Sequence, residues 1–492
     1  MRRHLIVPSL RPMTSFPDWL REVSPAWRWD WDYQQLIFAR LERVTANLCD
    51  RLMLALPPRH GKSELTTVRY AAWRLECDPT LQIIIGAYNQ TLAERFSRRV
   101  RRIVESRLPL ADDRKAANEW ETTQGGGVRA AGVGSGVTGM GAHLIIIDDP
   151  VKSREEAESE AYRERCYNWY TDDIYTRLEP GGCIIEIQTR WHMLDLAGRI
   201  LASDEAEQWE VLNLPALAEE GDPLNRQPGQ ALCPDRYDEE ALARIQAVLG
   251  SYSFNALYQG RPTSPEGNLF KREWWRYYEE APDDFDIILQ SWDMAFKETK
   301  DSDYVVGQAW GHRPSNKGKY LLQQKRDRAD LVKTLVMVRA MQRDNPDTDL
   351  TLVEDKANGP AVLSALQPEM PTLLAIDPQG GKEARAAAVS PQVETGQVYL
   401  PCLGYRPDGK PILEPWVEKF INELAAFPSG AHDDQVDATS QALNKLRTYD
   451  YDVADREPTE AEAAQAQHEK MLKEYGPRQP EKALTGWGKQ KR

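Results

Sequence analysis

Residues 52–63 read Leu-Met-Leu-Ala-Leu-Pro-Pro-Arg-His-Gly-Lys-Ser, an apolar strand running straight into a Gly-Lys-Ser turn. Such a turn opens a helix with a nest of backbone N–H groups, a lysine and a hydroxyl, the donors that surround a triphosphate. Gly61 lets the backbone approach the phosphates, Lys62 reaches the β- and γ-phosphates, and the Ser63 hydroxyl can ligate Mg²⁺. The first glycine of the G-x-x-x-x-G-K-[ST] pattern would fall at position 56, which is Leu56, and two prolines follow it. The loop is therefore expected to turn on the fixed φ of Pro57 and Pro58 rather than on glycine freedom.

A phosphate loop needs a second strand that brings an acid for the metal and a carboxylate to orient the attacking water. Leu144-Ile145-Ile146-Ile147-Asp148-Asp149 supplies both, at the carboxyl end of a buried parallel strand, where ligands bind in open α/β sheets. Asp148 is the natural partner of Mg²⁺ through water. Asp149 is the candidate base, although Glu is commoner in that role, and the choice of base stays open. Arg59, inside the loop, is positioned to stabilise charge on the γ-phosphate in cis. Gly132, Gly134, Gly136, Gly139 and Gly141, with Thr138, predict a mobile loop just before the acid strand. A strand over 184–188 leads into Thr189-Arg190-Trp191-His192, polar groups emerging beside the nucleotide edge, where the γ-phosphate can be sensed. Gln34 and Gln35 are candidates to read adenine, with ordinary surface glutamines as the equal alternative.

A separate set of acids appears in the second half. The strand predicted over 287–292 ends in Asp293, with Asp303 ten residues on. The strand over 350–353 ends in Glu354-Asp355, and His432-Asp433-Asp434-Gln435-Val436-Asp437 opens a late helix. Acids on separate strands and at a helix start suit a two-metal nuclease, in which divalent ions ~4 Å apart stabilise the attacking and leaving oxygens. Hard cations take oxygen donors, and the chain's 7 histidines give little to suggest zinc. Asp434 and Asp437 are spaced i, i+3 and can face one side of the helix. Lys382 and Arg385, after Gly380-Gly381, can hold the scissile phosphate, with simple surface charge as the alternative.

At 492 residues the chain is too long for one core. The reading divides it into an N-terminal arm (1–30), an α/β domain with a mainly parallel sheet (31–205), a small subdomain and linker (206–280), a second α/β domain (281–447) and a polar tail (448–492). No apolar run approaches the ~20 residues that cross a bilayer, and the N-terminus is too short in apolar residues for a signal peptide, so cytosolic residence is expected. The six cysteines form no C-x-x-C pair and suggest neither zinc nor a disulfide framework. The net charge of −14 argues against a protein that coats nucleic acid, but basic residues can still gather on one face. Arg95, Arg98, Arg99, Arg101 and Arg102 are such a gathering, readable as a DNA track or as a solvated helix face.

With both constellations in hand, residues 30–445 resemble a large terminase subunit, the DNA-packaging ATPase and nuclease of tailed bacteriophages and prophages. The resemblance rests on Pro57-Pro58-Arg59-His60-Gly61-Lys62-Ser63-Glu64, Ile147-Asp148-Asp149-Pro150, Thr189-Arg190-Trp191-His192, and Phe427-Pro428 followed by His432-Asp433-Asp434 and Asp437. It implies an ASCE-type P-loop ATPase domain followed by an RNase H-like nuclease. It places Pro58, Arg59, His60, Gly61, Lys62, Ser63, Glu64, Asp148, Thr189 and Arg190 around ATP, with Thr189-Arg190 as the coupling motif. Asp293, Glu354 and Asp434 would be the ligands of Mg²⁺ or Mn²⁺ in the nuclease, assisted by Asp433 or Asp437. The implied partners are double-stranded DNA, a portal protein on a procapsid, a small terminase subunit and further copies in a ring, in the cytoplasm of an infected bacterium. The alternative is a helicase or repair-type translocase with an attached nuclease. That reading needs helicase motifs in a second motor-like domain, and the segment after 206 has none.

Overall fold

A strand buried on both faces reads as an unbroken apolar run, and 144–147 is such a run. The computed structural model describes residues 14–137, 139–264, 269–294, 304–355 and 359–454. It sets this run near the middle of an eight-stranded sheet built from β1 (Arg51–Ala55), β2 (Gln82–Ala87), β3 (Leu110–Lys115), β4 (Glu119–Thr122), β5 (Gly127–Gly132), β6 (Ala142–Asp148), β7 (Leu178–Gln188) and β8 (Glu210–Asn213). The order is β3-β4-β5-β2-β6-β7-β1-β8, parallel from β5 to β8, with an antiparallel edge of β3 and β4. Alternate residues feed two cores. Ile83, Ile85, Leu144, Ile146 and Ile185 pack with Phe38, Leu41, Phe96 and Val100 on one face, where Phe16, Trp19, Leu20 and Trp29 of the N-terminal arm also insert. Ile84, Ile145, Ile147 and Ile184 pack with Trp169, Tyr170 and Ile200 on the other.

Register decides what meets at the sheet edge. β7 stands between β1 and β6, with Ala55 opposite Gln188 and Asp148 opposite Ile187. The three carboxyl ends are therefore level, and residues 57–63, 148–149 and 189–190 emerge side by side.

The second sheet contains β9 (Arg276–Tyr278), β10 (Ile287–Met294), β11 (Val305–Arg313), β12 (Gly318–Asp327), β13 (Leu350–Glu354), β14 (Leu373–Ile376) and β15 (Val398–Pro401), in the order β14-β13-β10-β11-β12-β15-β9. β10, β11 and β12 form an antiparallel meander, and β13 and β14 add in parallel beyond β10. This is the sheet expected of an RNase H-like domain. The first turns of the helix that starts at Asp434 are pinned to it: Ser291 Oγ donates to Ala438 O (2.8 Å) and Thr439 Oγ1 to Gln308 Oε1 (3.1 Å).

The segment 206–280 contributes β8 to the first sheet and β9 to the second. The chain divides into two units, Met1–Asn444 and Lys445–Arg492, and both sheets belong to the first. The six cysteines form no disulfide; five are buried and Cys77 is half-buried. Among the described residues no helix is long and apolar enough to cross a membrane. Thr138, Asp303 and the tail beyond residue 454 lie outside the described residues.

Candidate active sites

The loop after β1 reverses on two left-handed residues, Arg59 (φ 63°) and Gly61 (φ 78°). Glycine takes this conformation freely, whereas Arg59 adopts it at a cost of roughly 1–2 kcal/mol. The turn thus depends on residues 59 and 61, and not on the prolines alone as the sequence suggested. Pro58 is half-buried and Arg59 is exposed at the mouth of the loop. His60 is turned inward, with Nδ1 2.9 Å from Pro58 O, while its carbonyl accepts from Tyr33 Oη (3.1 Å). Burial lowers its pKa to about 4, so the ring shapes the loop without carrying charge to a phosphate.

The helical segment Ser63–Tyr70 follows with π-type turns. Ser63 Oγ donates to Asp148 Oδ1 (3.0 Å) and Thr67 Oγ1 to Asp148 Oδ2 (2.5 Å), one from each of two successive turns. Lys62 Nζ donates to Thr189 Oγ1 (2.5 Å) and pairs with Asp149 Oδ2 (2.8 Å). The Thr189 N–H donates to Asp149 Oδ1 (2.7 Å). The fold therefore unites Lys62, Ser63, Asp148, Asp149 and Thr189 from three strands' ends. Asp148 is fully buried, and burial, then Asp149, pushes its carboxyl up against the pull of Lys62. Glu64 is engaged by Arg69 and Arg99. The amides of Gln34 and Gln35 donate to the carbonyls of Arg28 (3.3 Å) and Trp29 (2.9 Å), which spends them on the arm.

Arg190 does not reach this cluster directly. Its Nε donates to both oxygens of Asp195 (3.0 and 2.9 Å). Asp195 also accepts from the N–H groups of Trp191 (3.1 Å) and Gly198 (3.0 Å), so one buried carboxylate ties down the loop that starts at Thr189. Behind it lies Glu186, fully buried on β7, its carboxyl held well above the usual range by burial and then by Asp195. Thr67, Asp195 and Glu186 were not singled out from the sequence. Their signals were a hydroxyl four residues after Ser63, an Asp before the Leu196–Leu201 helix, and a lone acid inside an apolar strand.

In the second sheet, Asp293 on β10 and Glu354 at the end of β13 lie on neighbouring parallel strands. Asp434 and Asp437 lie in the first turn of the late helix, and Asp433 immediately precedes it. Burial first, then Asp437 and Asp434, with a smaller part from Glu354, hold the Asp293 carboxyl well above the usual carboxylate range, against Lys382. Asp437, Asp434 and Glu354 therefore lie near enough to Asp293 to oppose its ionisation. Lys382 Nζ pairs with Asp433 Oδ1 and Asp437 Oδ2, each at 2.7 Å, and Arg385 Nη2 with Asp437 Oδ1 at 2.5 Å. Asp434 Oδ2 is 4.0 Å from Arg326. In this arrangement no three His, Cys, Asp or Glu side chains among the described residues are grouped to hold a metal ion. The donor set is nonetheless all carboxylate, the chemistry that hard divalent cations take, and Lys382, Arg385 and Arg326 already answer its negative charge.

Two family models match the chain: "Terminase large subunit, T4likevirus-type, N-terminal" over residues 53–276, and "Terminase RNaseH-like domain" over 290–446. The chain belongs to the large terminase subunits. The first sheet of this terminase is accordingly its ATPase domain and the second its RNase H-like nuclease domain. Among solved structures, it is similar to a large terminase from a thermophilic bacteriophage in complex with ADP (9% identity over 83% of this chain and 99% of that one, TM-score 0.47). It is also similar to another crystal form of that protein (11%, 90% and 100%, TM-score 0.48). A further similar structure is the large terminase nuclease from thermophilic phage G20c with bound magnesium (15%, 36% and 94%, TM-score 0.26). These distances carry no residue assignment. No curated protein matches the chain.

Proposed function

We propose that this terminase couples ATP hydrolysis at the first site to translocation of double-stranded DNA into a procapsid and cuts the concatemeric DNA at the second. The observation that best supports it is the meeting of Lys62, Ser63, Asp148, Asp149 and Thr189 at one sheet edge, on the same chain as the carboxylate cluster around Asp293.

That geometry supports the following residue roles. Backbone N–H groups of residues 59–63 and the Lys62 ammonium bind the phosphates of ATP, and the exposed Arg59 meets charge developing at the γ-phosphate. When Lys62 turns to phosphate, it leaves Asp149 and Thr189. Asp149 becomes available to orient the attacking water, and Thr189, released, transmits the change to the loop held by Asp195. Ser63 and Asp148 serve the nucleotide's Mg²⁺. In the nuclease, Asp293, Glu354 and Asp434, with Asp433 or Asp437, would hold divalent cations, which would supply Lewis-acid stabilisation of the attacking and leaving oxygens. Lys382 and Arg385 yield their carboxylates and face the scissile phosphate.

The proposed division is an arm (1–30), the ATPase domain (31–205), a connector (206–280), the nuclease domain (281–447) and a tail (448–492). A portal, a small terminase subunit and further copies of the chain complete the machine in the cytoplasm of the infected bacterium. Purified protein, given duplex plasmid and ATP, is expected to hydrolyse ATP and to cut DNA with Mg²⁺ or Mn²⁺ but not with chelator. Cutting that persists in chelator would rule out the nuclease assignment.

A further inference from the structure

The helix Gln90–Val104 has a sharply divided surface. Ala93, Phe96, Ser97, Val100 and Val104 are buried against the sheet. On the opposite side, Arg95, Arg98, Arg99 and Arg102 recur at i, i+3, i+4 and i+7, which stacks them in one stripe. From residue 95 to 102 the stripe is about 10 Å long, at about 1.5 Å per residue. That length spans roughly three phosphates of one DNA strand, at ~3.4 Å of helix axis each. In a chain of net charge −14, four guanidinium groups on one helical face form a local reversal of sign.

A second observation gives the stripe a direction. Arg99 pairs with Glu64, the residue that directly follows Lys62 and Ser63. Glu64 is also paired with Arg69 (2.5 Å), which is buried. Glu64 thus sits between one inner cation that stays and one outer cation, Arg99, that solvent and ligands can reach. Arg98 is paired only loosely, at 3.6 Å, with Glu94.

We propose that the Arg95–Arg98–Arg99–Arg102 stripe grips the duplex DNA backbone, and that the Arg99–Glu64 pair reports its occupancy to the phosphate loop. The proposal rests on the reading of the chain as a DNA-translocating ATPase. A phosphate that takes Arg99 leaves Glu64 to Arg69 alone, and the first turn carrying Lys62 and Ser63 resettles. DNA bound along this helix then alters ATP turnover without touching ATP.

The test uses the full chain and measures ATP turnover against duplex DNA concentration at several salt concentrations. The triple variant Arg95→Gln, Arg98→Gln, Arg102→Gln is expected to need about ten-fold more DNA for half-stimulation, with a log–log salt slope shallower by about 3 and basal turnover within about two-fold of wild type. Arg99→Gln is expected to lose the DNA response at saturating DNA, and Arg99→Lys to regain part of it, since lysine still binds phosphate as a point charge. A triple variant with wild-type DNA requirement and salt slope would overturn the grip. An Arg99→Gln protein still fully stimulated by DNA would overturn the relay, as would a wild-type ATPase indifferent to DNA. A wild-type chain with no ATP turnover at all would instead overturn the proposed function on which the inference rests.

Discussion

Asp148 has one hydroxyl on each oxygen, Ser63 on Oδ1 and Thr67 on Oδ2, in a position water does not reach. Replacing Thr67 with Ala leaves a buried acceptor without its donor and should cost about 1–3 kcal/mol, read as a lower urea midpoint with unchanged slope. An unchanged midpoint would mean that Asp148 does not depend on Thr67. Glu186 makes the opposite kind of prediction. Its folded pKa lies well above the ordinary value of 4.5, because burial and then Asp195 oppose ionisation. Above that value the unfolded chain releases a proton that the folded chain retains, so this residue costs stability increasingly as pH rises. Glu186→Gln should melt close to wild type near about pH 4 and above it near about pH 8. Equal melting at both would contradict the assignment. Neither residue was legible from sequence, because each gains its meaning from a neighbour across the sheet. Lys62 was legible from its Gly-Lys-Ser turn, and Asp148 and Asp293 because an acid ending an apolar run announces itself locally.

At the scale of elements, the loop from Thr189 to Asp195 connects nucleotide chemistry to the rest of the chain. Its shape depends on Asp195, which gathers the Arg190 guanidinium and the N–H groups of Trp191 and Gly198. Asp195→Ala strands a largely buried Arg190, a loss of about 3–5 kcal/mol by denaturant unfolding. Asp195→Asn, which keeps an acceptor, should lose less. If the two variants unfold alike, the charge of Asp195 is not what holds the loop. The Thr189-Arg190 motif was visible in the sequence, but not that its arginine faces Asp195 rather than the phosphate loop. Lys382 and Arg385 were read as candidates for a scissile phosphate, and the fold sets them on Asp433 and Asp437. What hid this was the 51-residue gap between Lys382 and Asp433, closed only by the second sheet.

At the scale of the whole molecule, two sheets with different strand orders stand in one unit, and each brings its acids to strand ends. Alternation of apolar strands and helices revealed both sheets, since a parallel sheet needs apolar runs and a meander needs short turns. The segment 206–280 was less legible. Its strands β8 and β9 are short edge strands, recruited by partners far away in the chain, with little periodicity of their own. The account's central claim is that one chain carries two separable chemistries. The direct measurement is parallel assay of ATP hydrolysis and metal-dependent plasmid cleavage in Lys62→Ala and Asp293→Ala proteins. Lys62→Ala should lose ATP turnover by about 10²-fold or more while its metal-dependent cutting without ATP persists, and Asp293→Ala should do the reverse. Loss of both activities in either folded variant, or loss of neither, would contradict the claim.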